Sequence, residues 1–255
     1  MEGVYVTMPL TMAQWFLYWT AYSFMGWAWE TMLSVVLRRR FEDRGMLNGP
    51  ICPIYGFGAL LVLLLLHDVR NPLALFLASG VVACTLEYLS SWVIEKLYHV
   101  RFWDFTGKPF NINGRVYLNG FLAFGFGAAA VVLVVQPWMT AIVESWPELV
   151  VLVVAAVLCV ATAADWAITL AGLHSFDSRL ARVGEQIRMR KLEQIEAIDT
   201  HIDMADEMLT RSLNWQQRRL VRIFPGLISL RNPDIVKGVR ELLERQREHM
   251  RKGTK

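Results

Sequence analysis

Long apolar stretches alternate with short polar segments up to about His174, and charged residues dominate from there to the end of the chain. A helix that crosses a bilayer needs about 20 consecutive, mostly apolar residues. Five stretches meet or approach this length, so the pattern predicts an all-α, polytopic helical membrane protein with about five transmembrane helices. The second crosses the membrane only if Pro53 serves as its first helical residue. The predicted spans are residues 15–37, 54–66, 73–97, 116–135 and 149–173.

The loops between these spans differ in their Lys and Arg content, and short loops rich in these residues stay in the cytosol. Along the chain, loops rich in Lys and Arg alternate with loops poor in them, and the segment after residue 173 is again rich in these residues. We therefore expect a multi-pass protein of the bacterial cytoplasmic membrane, with its N-terminus outside and its C-terminus in the cytosol. The basic residues are Arg38, Arg39, Arg40 and Arg44 in the first loop, Arg70 alone in the second, and Arg101 and Lys108 in the third.

Residues 174–255 are predicted to form a charged, helical cytosolic tail. Apolar residues recur there at three- and four-residue steps between Arg179 and Leu213, which is typical of one long amphipathic helix. Such a helix packs on its own neighbour or on the membrane surface, or it pairs with a second copy of the chain as a short coiled coil. The run 232–234 (Asn-Pro-Asp) predicts the start of a last helix, which ends near Met250.

The composition limits which kinds of partner and cofactor we expect. The chain is 55% hydrophobic with ten Trp, and its net charge of +3 averages an apolar part and a charged part. Because the basic residues do not cluster with an aromatic-laced motif, we expect no nucleic acid as partner, only membrane lipid and protein. The three Cys are scattered, without a Cys-x-x-Cys pair or a Cys/His cluster. We therefore expect no disulfide, no metal and no cofactor.

Three carboxyl groups interrupt the apolar spans. Glu30, Glu87 and Asp165 lie on three different spans, each roughly 12–15 Å from the cytosolic end at 1.5 Å per residue. An ionised carboxylate inside a span costs about 2.5–3.5 kcal/mol, so such groups usually face a cavity or a partner. Arg115, at the start of the fourth span, is the candidate counter-charge. These four residues predict an intramembrane site for a substrate or an ion, or a polar network that only locks helix packing.

Two predicted cytosolic loops, residues 44–58 and 103–115, are unusually rich in Gly, Pro and Asn. Gly and Pro favour tight turns, and Asn side chains bond to nearby backbone, so rigid connecting loops are one interpretation. The other is that the loops line the site beside the carboxyl groups. On that interpretation the further candidate binding residues are Tyr55, Asp104, Asn111 and Asn113.

The same segments carry a family resemblance. The run Trp27-Ala28-Trp29-Glu30, the Gly-Pro-x-Cys-Pro-Ile-Tyr-Gly-x-Gly run from Gly49 to Gly58, and residues 103–105 and 109–115 resemble the putative ABC-transporter type IV family, a CmpB-like group of bacterial multispan membrane proteins. The resemblance covers residues 15–135 and, more loosely, Phe224 and Pro225. It implies a transport permease. The fifth span and its Asp165 lie outside it.

Three functions fit these features. The first is a permease-like transport component; since the sequence has no Gly-x-x-x-x-Gly-Lys-Ser/Thr motif, its ATP hydrolysis would come from a separate ATPase subunit. The second is a membrane-embedded enzyme acting on a lipid head group, with carboxyl groups for acid–base chemistry and Arg115 for phosphate. The third is a membrane-anchored scaffold that uses its helical tail. The first is favoured, so we expect a transport component rather than an enzyme, with a homo-oligomer left open.

Overall fold

The computed structural model describes residues 12–38, 43, 45–176, 178–182, 185, 213–224, 226–231, 234–241, 243 and 244. It is mostly helical, and it divides into two compact units. Unit 1 comprises Met1–Ser90 and Phe105–Ala167, and unit 2 comprises Ser91–Asp104 and Ile168–Lys255.

The first three helices begin and end close to the predicted limits. Helix α1 runs from Met12 to Arg38, α2 from Pro53 to Leu65, and α3 from Pro72 to Tyr98. Proline opens α2 and α3, where its missing N–H costs no helical hydrogen bond. Asn71 caps α3, because its side-chain oxygen accepts from the backbone N–H groups of residues 73 and 74 at 2.9 and 3.0 Å.

The fourth predicted span continues beyond its predicted end at Val135. Helix α4 (Leu118–Ala130) leads through a π-helical turn, Val131–Val135, into α5 (Gln136–Glu144). Pro137 lies in the first turn of α5, where it is tolerated. Gln136 is buried, accepts a short hydrogen bond from the Tyr22 hydroxyl and donates to Thr140. The sequence Gln-Pro therefore marks a buried polar contact and not a loop.

Helix α6 runs from Glu148 to His174, directly after Pro147. Among the described helices, three are long and apolar enough to cross a membrane: Pro72–Tyr98, Leu118–Glu144 and Glu148–Arg182. Helix α2 is apolar but only 13 residues long. Helix α1 is long enough to cross a membrane. It is not one of these three because Trp, Tyr, Ser and Thr lower its mean hydropathy.

Helix α2 lies between two apolar clusters in unit 1. One cluster joins it to α1, α5 and α6, and the other joins it to α3, α4 and the π-helical turn. Ala59 belongs to the first cluster and Val62 to the second. The helix that follows the Gly-Pro-x-Cys-Pro run is therefore held on two sides. The buried members are Leu17, Tyr18, Tyr22, Ala59, Val143, Val151 and Ala155 in the first, and Val62, Leu75, Ala129 and Val132 in the second.

Unit 2 contains elements too short to be predicted from periodicity. Strand β1 (Val100–Arg101) pairs antiparallel with β2 (Ile228–Ser229), and helix α7 runs from Trp215 to Ile223. Asn214 and Gln217 form a reciprocal capping box at the start of α7. Gln217 also donates to the carbonyl of residue 172 at 2.8 Å, which fixes α7 against the end of α6.

The predicted tail helices fall largely outside the described residues. Of the long helix expected over 179–213, only residues 179–182, 185 and 213 are described. Residues 234–241 are helical, as are 243 and 244, in agreement with the predicted last helix. Its predicted cap at positions 232 and 233 and its end near residue 250 lie outside the described part.

Candidate functional site

The loop before α2 is held by a carboxylate on α6. Asp165 Oδ1 accepts from the backbone N and from the side-chain Nδ2 of Asn48 at 2.9 and 2.8 Å, and its Oδ2 accepts from the backbone N of Gly49 at 2.7 Å. Three N–H donors to one ionised group are strong contacts. The structure therefore gives Asp165 a definite task, which is to hold this loop.

The other end of the loop is bound to α1. The backbone N of Cys52 donates to the carbonyl of Ser23 at 2.9 Å. Further along α1, Trp27 Nε1 donates to Asp43 at 2.6 Å, and a Cβ atom on Gly45 would lie 3.3 Å from the Trp27 ring. The loop of Gly45–Cys52 thus packs against α1 as well as α6, which agrees with a rigid element.

Two glycines let α1 and α2 approach closely. A Cβ atom on Gly26 would lie 2.2 Å from Cγ of Tyr55, and one on Gly56 would lie 2.2 Å from Oγ of Ser23. Only a residue without a side chain fits at either position. The Tyr55 ring therefore lies directly on the α1 backbone, and its hydroxyl donates to Oε1 of Glu30 at 2.6 Å.

Glu87 completes a polar cluster within unit 1. Its side chain is 7% exposed, and its Oε2 has no hydrogen-bond partner within the described part of the chain. It interacts electrostatically with Glu30 and with Tyr55. We call Glu30, Tyr55 and Glu87 the carboxyl cluster. Its members come from α1, α2 and α3, so three predicted site residues are brought together.

Arg115 is buried beside α3 and lies over an aromatic ring. Its guanidinium carbon lies 5.5 Å from the centre of the Tyr88 ring, a cation–π contact, and the side chain is 5% exposed. Asn113 Nδ2 donates to the Tyr88 hydroxyl at 2.9 Å. Tyr88 follows Glu87 directly, so two more predicted site residues converge on the neighbour of the buried carboxyl group.

Asn111 and Asp104 serve other contacts. Asn111 Nδ2 donates to the carbonyls of Thr106 and Lys108, and its Oδ1 accepts from the backbone N of Gly114 at 3.1 Å. All three of these hydrogen bonds are made within the loop to which Asn111 belongs. Asp104 belongs to unit 2, where Arg101 lies 3.8 Å from it. These two residues fit the interpretation of rigid connecting loops.

Two residues of this region are not among the predicted site residues. Tyr88 contacts both Arg115 and Asn113, and nothing in a single sequence distinguishes it from any other interfacial tyrosine. Ser23 is buried and adjoins Gly56. Its signal is its helical spacing, since it precedes Glu30 by two turns and shares its face.

Three helices that are long and apolar enough to span a bilayer indicate a polytopic membrane protein. Residues 17–170 match the model of the putative ABC-transporter type IV family, and this is more than half of the chain. The chain belongs to that family, as the resemblance implied. The match extends past residue 135, so it includes Asp165, and it ends before the tail. No curated protein and no solved structure matches the chain.

Proposed function

We propose that the protein is a permease-like component of a transporter in the bacterial cytoplasmic membrane. Five helices would cross the membrane, α4 and α5 together forming the fourth, with the N-terminus outside and the tail in the cytosol. The family and the three long apolar helices support membrane transport, and the Lys/Arg alternation supports this orientation.

The carboxyl cluster is the proposed binding site for a polar or charged solute. Glu30 lies 18 residues after the start of α1, and Glu87 lies 15 residues after the start of α3, so both are about 22–27 Å from the outer helix ends at 1.5 Å per residue. That depth is inside the cytosolic part of a hydrocarbon core about 30 Å thick. The observation that carries the proposal is the buried Glu87, whose Oε2 lacks a partner in the described chain and which lies within electrostatic range of Glu30 and Tyr55.

Arg115 is the proposed positive end of the same site. Its guanidinium lies over the ring of Tyr88, the residue that follows Glu87 in α3, and the side chain is 5% exposed. A solute that carries both charges, or an anion balanced by a co-transported cation, would match this arrangement. An ATPase would be a separate subunit, and two copies of the chain would widen a pathway built from only five helices.

The test compares function with folding. Glu30→Gln, Glu87→Gln and Arg115→Lys keep size and most hydrogen bonding but remove a charge or the planar, bidentate geometry of Arg. We expect each variant to insert and melt in detergent like the natural protein and to fail in complementing a deletion strain. Glu148→Gln, in the first turn of α6, is the matched control and should complement.

Two outcomes would count against the proposal. Full complementation by all three variants would show that the charges are not needed. Loss of complementation strictly in step with a lower melting temperature would show instead that these side chains hold the helices together.

A further inference from the structure

One segment of unit 2, residues 214–231, is bound to the ends of two long helices. Gln216 Nε2 donates to Oγ1 of Thr169 at 3.3 Å, and Gln217 donates to the carbonyl of residue 172. Helix α7 therefore lies against the last two turns of α6. Further along the segment, strand β2 pairs with β1, which begins two residues after α3 ends.

Both helix ends lie at the surface of the bilayer when the helices cross it. Helices α3 and α6 are long and apolar enough to do so. Each has 27 residues, or about 40 Å at 1.5 Å per residue. A bilayer with its head groups is about 40–45 Å thick. We therefore expect the last turns of both helices, and the segment bound to them, at the level of the lipid head groups.

Helix α7 exposes one narrow stripe of side chains. Trp215 is 59% exposed, Arg222 is exposed and Arg218 is half-buried. Residues three and seven apart lie on one face of a helix, so these three side chains form a single line, which we call the α7 stripe. It is the face of α7 that can meet a partner, because the other residues of this helix are buried. They are Gln216, Gln217, Arg219, Leu220, Val221 and Ile223.

The surroundings of the α7 stripe are basic and partly apolar. Residues 214–231 contain four Arg and no Asp or Glu. Leu230 is 49% exposed and Arg231 is exposed. This pair also lies beside the end of α3, since the backbone N of Leu230 donates to the carbonyl of His99 at 2.9 Å. Exposed Trp is typical of the membrane–water boundary, and clustered Arg attracts anionic lipid. Both properties match the surface of a bilayer.

We propose that the α7 stripe binds the phosphate head group of an anionic phospholipid. Arg218 and Arg222 lie one turn apart, so their planar guanidinium groups can contact the oxygens of one phosphate together. The Trp215 ring, about one turn earlier, packs at the boundary between head groups and acyl chains. The proposal needs α6 to cross the membrane but uses no residue of the carboxyl cluster. Its failure is therefore distinguishable from a failure of the transport proposal.

Native mass spectrometry of the full-length protein in detergent, with added phosphatidylglycerol, measures this binding. One Arg beside an anionic lipid contributes about fivefold in affinity, so Arg222→Gln should weaken binding about fivefold and Arg218→Gln/Arg222→Gln about 25-fold. Zwitterionic phosphatidylcholine and free glycerol phosphate should bind weakly to all variants, because the first has no net charge and the second has no acyl chains. Lys237→Gln, at an exposed position outside the stripe, is the matched control and should bind like the natural protein. All the variants should melt at the same temperature.

A second measurement locates the stripe in nanodiscs. A nitroxide label is attached through Trp215→Cys, in a background where the three natural cysteines are replaced by Ser. The label should collide more often with oxygen, which dissolves in lipid, than with a water-soluble nickel chelate. The reverse preference places the stripe in water and overturns the proposal. So does a double variant that binds phosphatidylglycerol as tightly as the natural protein. If that variant keeps its lipid but loses an oligomer in the same spectra, the stripe is an interface between copies, and the lipid proposal is wrong.

Discussion

Replacing Asp165 with Asn should free the loop of Gly45–Cys52 while leaving the helices in place. The amide keeps the size of the side chain, but one of its two terminal atoms becomes a donor and faces a backbone or side-chain N–H. Two of the three contacts pass through Oδ1 and one through Oδ2, so either orientation of the amide breaks at least one of them. Hydrogen bonds to a charged group contribute about 1.5–3 kcal/mol each.

We therefore expect Asp165→Asn to destabilise the protein by about 2–4 kcal/mol, since one bond is lost and the remaining ones lose their charge assistance. The melting temperature in detergent should fall by several degrees. A direct readout of the loop is the rate at which a maleimide labels Cys52, in a background where the other two cysteines are replaced by Ser. Labelling should accelerate, because Cys52 is held only while the loop stays docked on α1.

Asp68→Asn is the matched control, because this carboxyl group is 90% exposed and contacts only the neighbouring His67 among the described residues. It should change neither the melting temperature nor the labelling rate. If Asp165→Asn behaves like this control in both measurements, the three contacts do not hold the loop, and the interpretation of Asp165 as its anchor is wrong.

Three further predictions concern packing, the tail and topology. Gly26→Ala should lower both stability and complementation, because its Cβ atom displaces the Tyr55 ring, whereas Gly127→Ala, with open space around it, should be neutral or stabilise by up to about 1 kcal/mol; melting curves of both variants check this. Gln217→Ala should destabilise unit 2 by about 2–3 kcal/mol through loss of the capping box and of a buried backbone contact, measured as faster proteolysis of the tail. A reporter that is active only outside the cytosol should be active when fused at Pro72 or Ser145 and inactive when fused at Thr106. Activity at Thr106 would refute the five-span topology.

Long runs of apolar residues predicted the limits of most of the helices well, because such runs are a local property of the sequence. The predicted 15–37 and 73–97 lie within two or three residues of α1 and α3 at each end. The extension of the fourth helix was not predictable, since Gln136 and Pro137 favour a turn unless a partner is known. That partner is Tyr22, 114 residues earlier in the chain. Strands β1 and β2 are each only two residues long, which is too short to show a periodic pattern of apolar residues.

The sequence offered candidate residues for the site but not their contacts. Carboxyl groups inside spans stand out in any sequence, so Glu30 and Glu87 could be named as candidates, and their shared role in a binding site stays a prediction. The task of Asp165 could not be read in advance, because its partners are mainly backbone N–H groups that every residue possesses. The contact of Arg115 with the Tyr88 ring was not predicted, because no spacing in the sequence indicates which residue of α3 it faces.

The shortness of α2 has a consequence for how the protein is made. Its 13 residues extend only about 20 Å, so in a bilayer the preceding loop would place bare peptide groups where lipid offers them no hydrogen bonds. The carboxylate that accepts from them is supplied by α6, 117 residues further along the chain. During synthesis, α1, α2 and the loop between them can therefore reach their final contacts only after α6 has been translated. A chain truncated before Asp165 should remain a substrate for membrane quality-control proteases, even though four of its five apolar segments are complete.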